Sequence, residues 1–217
     1  MYAQIASLLP LSAALLDPPS GAANHPARRR RVGNFPLDAA ALDHFNDLLM
    51  RLHHVPLLGD QLATAARELV RQPVTDNHAA AIAQRMRLAH TVSQMLAHPE
   101  WQPAGESVEP AQLVVNYMHG DHRLIPDNLP VIGGLDDAVV VDAAWPQLAG
   151  EVDSYLDYCR LRAIEADLRH CRAFDFHFSR QDWQEARRAE AALIEHCRRV
   201  GESSYVPPST AGRFRVY

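Results

Sequence analysis

The sequence predicts an all-α protein, a helical bundle of about six to seven helices with a Pro/Gly-hinged helical hairpin set into it. Three observations predict this class. Apolar residues recur at spacings of three and four in every long segment, the period of an amphipathic helix. Alternation of apolar and polar residues is confined to Phe174 to Phe178, read as a short extended connector whose aromatic face packs on the bundle, and the one strand-like run, Ala138 to Val141, is four residues long and follows two acids that suit a helix start. Proline and glycine cut the periodic stretches into helix-sized pieces.

The elements follow in chain order. Residues 1–36 form an N-terminal segment and an Arg-rich linker, because residues 17–36 combine Pro, Gly, Ser and the run Arg28 to Arg31 with few apolar anchors. Deleting residues 1–36 is therefore expected to leave stability little changed. The main helical domain is read as residues 37–200. Leu42, Phe45, Leu49 and Leu52 mark a first helix. Leu62, Ala65, Ala66, Leu69 and Val70 mark a second, opened by Gly59-Asp60 and stopped by Pro73. Thr75 and Asp76 offer caps for a third, whose stripe runs through Ile82, Met86, Ala89, Val92 and Leu96 to Pro99. Trp101 to Glu109 reads as a polar loop. A helix with Pro110 in its first turn then carries Leu113, Val114, Tyr117 and Met118. Beyond the stretch Gly120 to Gly134, helix is expected from Asp136 to Ala144, again from Gln147 to about Leu168, and finally from Arg180 to Val200. Trp183, Ala186, Leu193, Ile194 and Cys197 are placed on the buried stripe of that last helix, and residues 201–217 read as an extended tail.

Composition narrows the chemistry. Net charge is −5, so no overall field attracts nucleic acid. All 21 basic residues are arginine, which excludes Schiff-base chemistry, a lysine general base and a lysine-bearing phosphate loop. Cys159, Cys171 and Cys197 are odd in number and lack CxxC spacing, which suits reduced thiols and a cytoplasmic location. Peripheral membrane association through residues 1–16 and the arginine run is the weakest of the readings considered.

Residues 117–142 read YMHGDHRLIPDNLPVIGGLDDAVVVD. Within them Leu124, Ile125, Pro126, Asp127, Pro130, Gly133, Asp136 and Asp137 match, position by position, the signature of the YkvA-like family, which this segment resembles. That family is a domain of unknown function found widely in bacteria. The resemblance implies a short helical hairpin over about residues 110–145, hinged at the Pro/Gly turn, and no established reaction. The chain carries Arg123 where the family signature has its first aspartate.

Two chemistries fit these acids. Structurally, Asp136 stands where a helix N-cap belongs and Asp137 where the positive helix end favours a carboxylate. Functionally, Asp121, His122, Asp127, Asp136 and Asp137, with His119 alongside, lie close enough in sequence to converge across a turn. Such a set of hard oxygens with an imidazole suits a divalent metal. The leading expectation is an accessory or interaction protein that needs no cofactor and whose partner is another protein or a second copy. The alternative is a metal-dependent hydrolase built on that cluster.

Overall fold

A computed structural model describes residues 8–15, 31–32, 35–71, 77–120 and 123–203. The all-α class holds: 73% of the structure is helical. Strand among the described residues is limited to the antiparallel pair β1 (Arg31–Val32) and β2 (Phe35–Pro36). The helices are α1 (Ala39–Arg51), α2 (Gly59–Arg71), α3 (Asn77–Ala97), α4 (Gly105–His119), α5 (Leu135–Leu168) and α6 (Arg180–Ser203). They fall into two compact units, Met1–Asp157 and Tyr158–Tyr217.

In the first unit, α1 begins at Asp38, whose side chain accepts the Ala41 amide at 2.9 Å, and buries Phe45, Leu48 and Leu49. Its end is closed by two bonds, His53 N to Met50 O and His54 N to Leu49 O, both 2.9 Å, around His53 at φ 59°. This is the Schellman arrangement, with histidine where glycine is favoured. The same device ends α5, where His170 has φ 55° and Cys171 N reaches Ala166 O at 3.0 Å. On α2 the expected face holds Leu62, Ala65, Ala66 and Leu69 inside, whereas Val70 points to solvent. On α3 the apolar stripe shares its buried face with Arg85, which grips Asp142 of α5 through two bonds of 2.7 and 2.8 Å. Burial pushes the Asp142 carboxyl upward, while Arg85 and then His54 oppose the shift.

Several sequence expectations are corrected. The polar loop predicted over Trp101 to Glu109 is partly helix: α4 starts at Gly105, places Pro110 inside itself, and buries Ser107 against Gln147 O. Trp101 is buried, its ring edge-on to Tyr155 at 5.7 Å between centroids. The two helices expected on either side of Pro146 are one helix of 34 residues. Pro146 deletes one helical donor, but it lies on the exposed side, where water can satisfy the carbonyl it leaves open. Docking of residues 1–16, which the sequence leaves open, is seen for part of that segment. Leu11 is buried, Ser12 donates to Glu68 on α2, and Leu9 N donates to Gln84 on α3 at 3.0 Å. The caps proposed at Thr75 and Asp76, and Arg28 to Arg30, lie outside the described residues.

The second unit contains the end of α5, a 3-10 turn over Ala173–Asp175, and α6. Tyr158 stacks on Phe178 at 5.6 Å and donates to its carbonyl at 2.6 Å, and Phe176 stacks on Phe178 at 5.9 Å. Phe174 instead projects into solvent. Ser179 and Asp182 cap α6 reciprocally, with Asp182 accepting both the amide and the hydroxyl of Ser179. Those bonds hold the Asp182 carboxyl below its ordinary value. The stripe predicted to be buried on α6 is not: Trp183 and Ala186 are half-covered, and every residue from Arg188 to Glu202 is exposed. No helix among the described residues is long and apolar enough to cross a membrane.

Candidate functional site

The strongest cluster of buried polar groups lies in the first unit, where the end of α4, the turn after it and the start of α5 meet. The turn is forced by its backbone. A β-carbon on Gly133 would stand 2.3 Å from the Asp127 carbonyl oxygen and 2.9 Å from that of Leu129, so only glycine fits. Gly134 has φ 77°, and Val131 adopts φ 72°, a conformation that is strained for a β-branched residue.

That turn brings the backbone of Leu124 and Ile125 over the first turn of α5. There Asp136, with no exposed surface, accepts three bonds on Oδ2: from Tyr117 Oη at 2.8 Å and from the Leu124 and Ile125 amides at 3.0 Å each. The N-cap role expected for Asp136 is therefore corrected. The helix starts one residue earlier, at Leu135, so Asp136 is its second residue. It satisfies two amides of another segment and a phenol instead of an amide of its own helix. Three donors in a dry interior outweigh one near the surface. Burial first, and then the Asp136 charge, push the Tyr117 phenol far upward, so it stays protonated and donates.

Asp137 is the third residue of α5 and only 3% exposed. Burial, reinforced by Asp136, raises its carboxyl to about 6, against the opposing charge of Arg123. Arg123 ties the corner together: it pairs with Asp127, donates to the Met118 carbonyl at the end of α4, and stands 3.9 Å from Asp137. The Oδ1 atoms of Asp136 and Asp137 are buried with no hydrogen-bond partner among the described residues.

Of the acids singled out in the sequence, Asp136 and Asp137 lie side by side in the interior, and Asp127 joins them only through Arg123 from an exposed position. His119 is exposed, and Asp121 and His122 lie outside the described residues. Among the described residues no three His, Cys, Asp or Glu side chains are arranged to hold a metal ion. Tyr117 and Arg123 complete the cluster, and the sequence identifies neither as its partner. Tyr117 read only as an apolar-stripe residue, and nothing local reveals that its hydroxyl finds a carboxylate 19 residues on.

The second unit has a shallow hollow of about 250 Å³ lined by Glu165, Arg169, Phe176, His177, Asp182 and Glu185, among others. Its charges are engaged internally: Arg169 pairs with Glu165 and lies 5.0 Å over the Phe176 ring, and Gln181 donates to Glu185. Compared with models of known protein families, with curated proteins and with solved structures, the chain matches none.

Proposed function

We propose that the protein is a helical interaction protein whose C-terminal unit docks a protein partner along α6. The carrying observation is the bare apolar stripe of that helix, where Leu193, Ile194 and Val200 are 62%, 56% and 51% exposed. Leaving such area in water forfeits roughly 25 cal/mol per Å² that a cover would recover. A helix apolar on one face and charged on the other is also the form in which helices dock into grooves or onto one another. On this reading the acidic corner around Asp136 is architecture. It holds a Pro/Gly hinge in place, in keeping with the YkvA-like resemblance of residues 117–142, which implies no reaction. The test places a photo-crosslinking residue at position 193 of the full chain in its native cell. A discrete protein adduct, lost when Ile194 is changed to Glu, supports the reading, and illumination without any adduct overturns it.

A second reading, a metal-dependent hydrolase, draws support from the unengaged Oδ1 atoms of Asp136 and Asp137. It requires that purified protein bind Mn²⁺, Mg²⁺ or Zn²⁺ stoichiometrically, and that Asp137→Asn abolish the binding without unfolding the chain. Protein that binds none of these ions eliminates it.

A further inference from the structure

Resting on that interaction reading, we infer that the partner along α6 is a second copy of this chain, the two helices packing antiparallel. The stripe is a seam rather than a patch. Trp183, Ala186, Glu190, Leu193, Cys197 and Val200 succeed one another at spacings of three and four, the repeat by which two helices keep one face in mutual contact. The first two of these residues are half-covered, and the remainder of the same face is exposed.

Charge selects the occupant. The sequence of α6 holds five arginines and five acids, which cancel. Many of them are spent within the helix: Arg187 pairs with Glu190, Arg198 with Glu195 and Glu202, and Arg199 with Glu195. A strongly basic or acidic partner finds no net field here, whereas a second α6 meets an equally neutral, equally apolar face. Glu190, the one charge in the seam, sets the orientation, as a lone polar seam residue does in paired helices. Parallel pairing stacks Glu190 on Glu190 and Trp183 on Trp183. Antiparallel pairing about a two-fold axis between residues 191 and 192 sets Glu190 against Leu193 of the second copy, Ala186 against Cys197, and Trp183 against Val200. At the flanks Arg187 then faces Ile194 and Ala189 faces His196, so no charge confronts its like.

The experiment uses the purified full chain in analytical ultracentrifugation, beside the double variant Leu193→Glu/Ile194→Glu, both changes being at exposed positions. The wild type is expected to sediment as a dimer at concentrations up to about 100 µM, and the variant as a monomer with unchanged circular dichroism and melting temperature. A monomeric wild type, or a variant that remains dimeric, overturns the inference. Orientation is read by oxidation in a background carrying Cys159→Ser and Cys171→Ser. Adding Ala186→Cys should yield a covalent dimer through Cys197, and Cys197 alone should not. Crosslinking by Cys197 alone means parallel pairing and sinks the antiparallel register. A monomeric wild type whose position-193 adduct in cells contains a different protein refutes self-pairing and leaves the interaction reading standing. If no adduct forms either, both fail.

Discussion

Tyr117 on α4 donates its phenolic hydrogen to Asp136 on α5 over 2.8 Å, and both side chains are buried. The same carboxylate oxygen holds the Leu124 and Ile125 amides, so one acceptor joins two helices and the turn between them. Asp136→Ala strands three donors in a dry interior and is expected to cost on the order of 3 kcal/mol or more in urea unfolding. Asp136→Asn keeps an acceptor and should cost about half as much. Tyr117→Phe, which removes one bond to a charged group, should cost about 1.5–3 kcal/mol. An Ala variant losing only about 1 kcal/mol, the usual value of an N-cap, would show that Asp136 merely caps its helix.

Backbone conformation supplies opposite-signed substitutions. Gly133→Ala drives a methyl group into the Asp127 carbonyl at 2.3 Å and should destabilise by more than about 2 kcal/mol, since backbone rather than a flexible side chain must yield. His53→Gly and Val131→Gly relieve positive φ angles of 59° and 72° and should each raise stability by about 1 kcal/mol. Thermal melts of the three single variants check the signs, and a stabilised Gly133→Ala would mean the turn is not built as described.

The buried Asp137 carboxyl should make stability depend on pH. Its value is raised from 3.8 to about 6, so the folded protein holds this proton more tightly than the unfolded chain does. The contribution is fully present below about pH 4 and is lost as pH rises through 6; it amounts to at most about 3 kcal/mol. Asp137→Asn, which cannot ionise, should flatten the stability profile between pH 4 and 6 and gain stability relative to wild type at pH 7.5. Arg123, Asp136 and Tyr117, the charged and titratable groups around it, are unchanged in that variant. Parallel wild-type and variant profiles would exclude Asp137 as the source.

Deleting residues 1–36 removes the buried Leu11, the Ser12 bond to Glu68 and the Leu9 bond to Gln84. Leucine burial alone is worth about 1.5–3 kcal/mol, so the truncated chain should melt roughly 5–10 °C lower. Leu11→Ala in the full chain should reproduce part of that loss. An unchanged melting temperature in both proteins would mean that the segment contributes no stability.

What the sequence by itself determined was where most of the helices lie and most of the apolar side of each. Periodicity and Pro/Gly punctuation act within a few residues, so α1, α2, α3 and α6 fall close to their predicted bounds, and Ala138 to Val141 is buried helix as expected. The Pro/Gly hinge before α5 was equally legible, because Gly133 and Gly134 are required by backbone geometry at those very residues. Only the tertiary structure decided what each face and each acid would meet. An apolar stripe states that cover is favourable and not where the cover comes from, so Leu11 gained one and Leu193 did not. Pro146 is tolerated inside α5 because of the side it occupies, which local propensity cannot specify. Asp136 had the sequence of a cap and became a buried acceptor, because its donors come from Tyr117, Leu124 and Ile125, and only folding brings them within 3.0 Å.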